Sequence, residues 1–379
     1  MAISTELPSK QQQLNQFMGE CSGAFADLGT FLPLVLGMIA LNQFSPQAIF
    51  SGFGVFAIAS GLLYRRPIPV QPMKVISALV IAQGLSPQLL QASGMLMGLI
   101  LIVLAYSGAL NWLAKQLSQA VSVGIQLAIG LQLLLMGHDM MLDQAWMGYG
   151  AFIVLFISRF FPLRYLAMPF IIVLGVIWQA QMGGSAILTE TQLPPWQLTW
   201  PTLNDWHDAA LLLVLPQLAL TLTNAVIATS AIAKEKFPED AARMTPKHFA
   251  LSSGFSNLLL APFGAAAMCH GAGGLAVQYH FGARRLWTPI IFGGSCLLVA
   301  LFWDQQMASF LGLIPVAILG SLLSIAGLQL AYSKRLFDGK PFCTFVIIIT
   351  TLGCLFINTA AGLIIGVAIE TLHKHFINR

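Results

Sequence analysis

The stretch Arg65-Arg-Pro-Ile-Pro-Val-Gln-Pro-Met-Lys74-Val-Ile-Ser-Ala78 decides how the rest of the chain is read. Pro67, Pro69 and Pro72 each lack a backbone donor and push the preceding residue towards extended geometry, so residues 66–71 are expected to run as an extended strand. Pro72 suits the first turn of a helix reaching about Gln83. Lys74 falls in that first turn, where a cation opposes the helix dipole. A negative group is therefore expected beside it, either a structural partner such as Asp27 or a bound anion.

The surroundings make this a membrane segment. The 379 residues are 57% hydrophobic and 8% charged, against about 25% charged in soluble chains. Apolar blocks long enough to cross a bilayer, which takes about 20 residues each, fill the chain near 18–41, 47–64, 68–83, 93–113, 119–137, 146–161 and 165–182. After a polar interval they resume at 209–233, 248–262, 263–283, 286–303, 308–332, 342–357 and 359–376. The organisation expected is a polar cytoplasmic N-terminus (1–16), then a single all-α polytopic membrane domain (17–379). Within it, 17–182 is one half, 183–208 an extracytoplasmic connector and 209–379 the other half.

About fourteen spans in two sets of seven give an independent check, because cytoplasmic loops collect Lys and Arg. With both termini cytoplasmic, every basic residue except Lys74 falls on that side, from Lys10, Arg65 and Arg66 to Lys374 and Arg379. The net charge of +4 follows from this bias and requires no nucleic-acid partner. Five scattered cysteines suggest neither a disulfide framework nor a CxxC metal site. An odd number of spans per half turns the halves to face opposite ways, the inverted repeat of many secondary transporters, whose broken helices bind substrate near the bilayer midplane.

The second half has a matching broken segment at its third span, Ala261-Pro-Phe-Gly-Ala-Ala-Ala-Met-Cys-His270-Gly-Ala-Gly-Gly-Leu-Ala-Val-Gln278. Gly271, Gly273 and Gly274 permit backbone N–H groups to close around an anion, although glycines also serve helix packing. His270 either donates to an oxyanion or carries a coupling proton, or is held by a backbone carbonyl. In the first span, Glu20 is interfacial and Asp27 lies about two turns deeper; both are candidates for a coupling or structural charge. On 215–228, Gln217, Thr221 and Asn224 share a helix face, as substrate donors or as interhelical hydrogen bonds.

At these residues the chain resembles the molybdate transporter family, related to the sulfate permease (SulP) superfamily. The stretches that carry the resemblance are SGAFADLGTFLPLVLGM (22–38), RPIPVQPMKVISA (66–78), LPQLALTLTNAVIATSAIAKEKFP (215–238) and MCHGAGGLAVQYHFGARR (268–285). It implies a seven-plus-seven inverted repeat with substrate between spans 3 and 10, and import of molybdate, with sulfate and tungstate as related cargo. The sequence ends soon after its last span, so the cytoplasmic STAS domain of sulfate permeases is expected to be absent.

The expected site combines backbone N–H groups near Met73–Lys74 and Gly271–Gly274 with the charge of Lys74 and hydrogen bonds from Gln71, Gln217, Thr221, Asn224 and His270. Alternating access with proton coupling through Asp27, Glu20 or His270 is expected, in a bacterial-type inner membrane and with no cofactor. Oligomeric state is open, a homodimer being one arrangement. The rival within transport is a nucleobase-cation symporter, which would want a carboxylate near the tenth span. An intramembrane enzyme is the rival from another class, and the chain offers it no HExxH or GxSxG motif.

Overall fold

A computed structural model of the protein describes residues 10–116, 119–161, 164–182, 200–302, 312–333, 336 and 340–377. Most of the expected connector (183–199), the first nine residues and parts of the loops holding Asp304, Lys334 and Arg335 lie outside the described residues.

The first half comprises α1 (Lys10–Phe25), α2 (Leu28–Asn42), α3 (Pro46–Tyr64), β1 (Gln71–Pro72), α4 (Lys74–Gln83), α5 (Pro87–Ser107), α6 (Leu110–Gln116), α7 (Gln119–Leu142), α8 (Ala145–Ser158) and α9 (Ala167–Gln181). The second half comprises α10 (Leu203–Lys236), α11 (Pro246–Leu260), β2 (Met268–Cys269), α12 (Ala272–His280), α13 (Trp287–Leu301), α14 (Val316–Ala331), α15 (Pro341–Phe356) and α16 (Thr359–Ile377). Six of the helical stretches are long and apolar enough to cross a membrane.

Start signals in the sequence act as expected. Ser45-Pro46, Ser86-Pro87 and Thr245-Pro246 each put a hydroxyl at the N-cap and a proline at the first turn, and the hydroxyls accept from the N–H groups of Ala48, Leu89 and His248.

Two elements differ from the sequence expectation. The first span is two helices, broken at Ala26–Asp27. Asp27 takes the N-cap position of α2, where its carbonyl accepts from Thr30 and Phe31, but its side chain caps nothing there and turns to another element. The first long helix of the second half begins at Leu203, inside the interval read as connector, and widens to π-helix over 209–214 and 221–228. Pro216, which supplies no N–H, lies between the two π stretches.

Helix pairing has the exchange symmetry of an inverted repeat. α3 packs on α13 and α5 on α11, while α7 crosses α14; α3 corresponds to α11, α5 to α13 and α7 to α14 by order in the halves. The crossing of α7 and α14 is reciprocal. A Cβ on Gly130 would stand 2.6 Å from the Gly327 carbonyl oxygen and one on Gly327 2.6 Å from that of Gly130; Gly137 and Gly320 repeat the relation at 2.5 and 2.6 Å. Backbones approach this closely only over glycine. A large apolar core spans α2–α5, α7, α10 and α11. A smaller one joins α8, α9 and α14, with Leu36 of α2 inserted.

Candidate functional site

The two proline- and glycine-broken segments meet. β1 pairs antiparallel with β2, Gln71 opposite Cys269 and Pro72 opposite Met268. Prolines and small residues cannot sustain a long ladder, so neighbouring side chains take up the remaining backbone groups. Asn257 of α11 brackets Met268, accepting from its N–H at 2.8 Å and donating to its carbonyl at 2.5 Å. Met73 N–H donates to the Ala267 carbonyl at 2.8 Å, and Ser60 donates to that of Ile68.

His270 belongs to this scaffold. Its Nδ1 lies 3.0 Å from the Pro69 carbonyl, which can only accept, so Nδ1 carries the proton. Nε2 lies 2.8 Å from Ser252 Oγ, which is 2.7 Å from the Tyr64 hydroxyl. The ring is fully buried among Phe56, Tyr64 and Phe249. Of the alternatives weighed for this residue, its geometry is that of a histidine held by a backbone carbonyl.

From the ends of the ladder two short helices set out, α4 from Lys74 and α12 from Ala272. The first N–H groups of a helix have no partner within it. On α4, Val75 and Ile76 donate to Gln217 Oε1 at 2.8 and 3.3 Å, and Gln217 Nε2 donates to Thr221 at 2.9 Å. Gln217 and Thr221 are therefore buried behind α4 as its cap. At the start of α12 the Gln71 amide lies over Gly271 and Gly274, where an added Cβ would displace it, whereas Gly273 faces open space.

In front of the two N-termini is a cavity of about 390 Å³. Asp27, Thr30, Gln71, Lys74, Gly273 and Gly274 line it from the broken helices; Arg159, Arg164, Tyr165, Gln329 and Tyr332 line it from the opposite bundle. Asp27 Oδ2 accepts from Gln71 Nε2. Among the described residues no direct ion pair involves Lys74, although its charge acts on the Asp27 carboxyl across the cavity. Thr30 donates to Gln329 Oε1 at 3.4 Å, bridging α2 and α14 across the cavity wall.

The structure thus brings Asp27, Gln71, Lys74, Gly273 and Gly274 to one cavity, with Gly271 directly beneath Gln71. Met73 is buried and its N–H is engaged. Gln217, Thr221, Asn224 and His270 stand outside the lining. Glu20 is also elsewhere: its buried carboxylate accepts from the N–H groups of Arg284 and Arg285 at 2.9 and 3.0 Å and from Thr288 Oγ1 at 2.6 Å, holding the start of α13. Residues the sequence reading passed over are Thr30, Gln329, Tyr165, Tyr332 and the two arginines. The arginines bracket the short run Arg159-Phe-Phe-Pro-Leu-Arg164, which reads as an ordinary basic loop.

Two broken segments paired antiparallel at the centre of an inverted repeat define a class, that of polytopic membrane transporters. The fold is shared with solved members of that class. The transmembrane domain of a cyanobacterial bicarbonate transporter, BicA, superposes with a TM-score of 0.63 at 13% identity, covering 94% of this chain and 98% of that one. Murine Slc26a9, an anion transporter solved in the inward-facing state, gives 0.62 at 14% identity, covering 99% and 73%. The family model described as "Molybdate transporter of MFS superfamily" matches residues 19–133 and 209–330, and the chain belongs to that molybdate transporter family. Molybdate transporter 2 of Arabidopsis thaliana is 29% identical, covering 95% of this chain and 88% of its own length; molybdate transporter 1 of the same plant is 28% identical, covering 92% and 86%.

Proposed function

We propose that this anion transporter imports molybdate, binding the dianion in the cavity between the N-termini of α4 and α12. The observation that carries the reading is Lys74: a half-buried cation in no direct ion pair, at the point where two helix N-termini converge. Helix N-termini attract anions through their dipole, and at α12 through N–H groups that no side chain caps, and an ionisable group inside a membrane protein marks function by default. Lys74 supplies the formal charge. Gln71 and the amides at Gly273–Gly274 supply neutral donors. Gln217, Thr221, Asn224 and His270 serve by shaping and supporting these groups.

Transport proceeds by alternating access, the bundle with the broken helices moving against the one containing α8, α9 and α14. The positive-inside rule puts both termini and the Arg159–Arg164 rim on the cytoplasmic side of an inner membrane, which makes the present arrangement inward-facing. Entry of a dianion against a negative interior costs about 2.3 kcal/mol per charge per 100 mV. Proton symport through Asp27 offsets one of the two charges, and the pH gradient adds to the driving force. Sulfate and tungstate, also tetrahedral dianions, compete. A nucleobase symporter would want a carboxylate on α12 facing the cavity, and that helix has Gly273 and Gly274 there.

The test is uptake of labelled molybdate into liposomes holding the purified protein, with and without an inward proton gradient, against excess sulfate, tungstate or uracil. Saturable, gradient-driven uptake that tungstate and sulfate inhibit and uracil does not is the expected result. Uptake of uracil with none of molybdate would overturn the assignment.

A further inference from the structure

The cavity rim has a charge pattern that the binding of an oxyanion by the half-helices does not use. Three cations border the cavity, Lys74, Arg159 and Arg164, against one carboxylate, Asp27. Their formal sum is +2, equal and opposite to a dianion. Neither arginine has an acidic partner among the described residues, whereas Arg66, elsewhere on the protein, is held by Glu239 at 2.5 Å and Asp240 at 2.6 Å. Arg65, Arg243, Arg284 and Arg285 likewise form no ion pair among the described residues, so what sets Arg159 and Arg164 apart is their place on the cavity wall.

Both guanidinium groups are instead placed by aromatic rings. Arg159 lies 3.9 Å from the centroid of Phe156 and 4.8 Å from that of Phe160. Arg164 lies 5.5 Å from Phe281, the residue that ends α12, and Tyr165 meets the same ring edge-on at 5.1 Å. Contact with a ring uses the face of a guanidinium and leaves its in-plane N–H donors for an oxyanion. The two arginines are on the bundle without the broken helices, so a bound dianion is shared electrostatically between the bundles.

We propose that Arg159 and Arg164 are specificity-determining residues, setting the preference for divalent over monovalent tetrahedral oxyanions. The inference rests on the transport reading above. The cradle of N–H groups reads shape, which molybdate shares with a monovalent tetrahedral oxyanion such as perrhenate. The rim reads valence, because its attraction scales with the charge of the ligand. Arg159 is exposed, and charges in water are screened beyond about 8 Å at physiological salt, so the arginine contribution fades as ionic strength rises.

The experiment is molybdate uptake by proteoliposomes, with perrhenate as competitor, for the wild type, the double variant Arg159→Gln/Arg164→Gln and the charge-retaining Arg159→Lys/Arg164→Lys, at low and high salt. The expected result is a roughly tenfold rise in KM for molybdate in the glutamine variant, falling on KM more than on the maximal rate. Perrhenate should compete relatively better, and high salt should bring the wild type towards the variant. The lysine variant should keep the wild-type preference. Wild-type KM and wild-type discrimination in a glutamine variant that reconstitutes normally would overturn the arginine assignment alone. Absence of molybdate uptake by the wild type would overturn the transport reading and this inference together.

Discussion

Asp27 accepts its hydrogen bond from Gln71 and forms no ion pair with Lys74, although all three line one cavity. Gln71 thereby separates the functions of the two charges. The carboxylate is oriented by a neutral amide, and the ammonium is left for an incoming anion.

Asp27→Asn should therefore uncouple the transporter without removing its site. With the carboxylate gone the cavity becomes more positive, so molybdate binding should tighten by a few-fold, on the order of 1 kcal/mol, while accumulation driven by a proton gradient is lost. Equilibrium binding and gradient-driven uptake on the same preparation check both halves of the prediction.

Glu20→Gln should behave differently despite removing the same charge. Its carboxylate holds the backbone N–H groups of Arg284 and Arg285 and the hydroxyl of Thr288, and hydrogen bonds to a charged group contribute about 1.5–3 kcal/mol. A lowered thermal unfolding temperature in detergent with proton coupling retained is expected. Loss of coupling with unchanged stability would move Glu20 into the transport cycle.

His270→Ala should be a packing and hydrogen-bond lesion. It strips the Pro69 carbonyl and Ser252 of their partner and empties a ring-lined space, with a cost of roughly 2–4 kcal/mol. Unfolding temperature should drop sharply while the ranking of molybdate, tungstate and sulfate stays the same in whatever protein is recovered. A changed ranking would place the imidazole against the substrate.

Gly137→Val and Gly320→Val test the crossing of α7 and α14. Each methyl-bearing Cβ would meet the partner's carbonyl oxygen, and overpacking of this kind costs about 1–3 kcal/mol or more. Reduced stability is expected for either single variant. Because either substitution already forces the same two backbones apart, the double variant should cost less than the sum of the two, a non-additivity expected of residues in contact.

The sequence was legible where covalent constraint speaks directly. Pro67, Pro69 and Pro72 announce an extended entry and a half-helix, the glycines of 271–274 announce its counterpart, and hydropathy marks the remainder as apolar helices. Side-chain direction was not legible. Gln217 and Thr221 fall on one polar helix face as predicted, but the same donors suit a buried cap on α4 as well as a substrate, and only packing decides. The break at Asp27 escaped because Ala26-Asp27-Leu28 has no proline or glycine within it, and apolar residues on both sides read as one span. Arg159 and Arg164 were hidden by the rule that explained them, since a basic residue beside an apolar block already has a topological reason to be there.

The most direct test of the account is equilibrium binding of labelled molybdate to the purified protein and to Lys74→Met, at one pH and one salt concentration, with folding verified by thermal unfolding. The account predicts saturable binding to the wild type and at least a roughly hundredfold loss of affinity in Lys74→Met, about 2.7 kcal/mol, in a variant that still unfolds cooperatively. Wild-type affinity in Lys74→Met would contradict it and remove the lysine from the binding site.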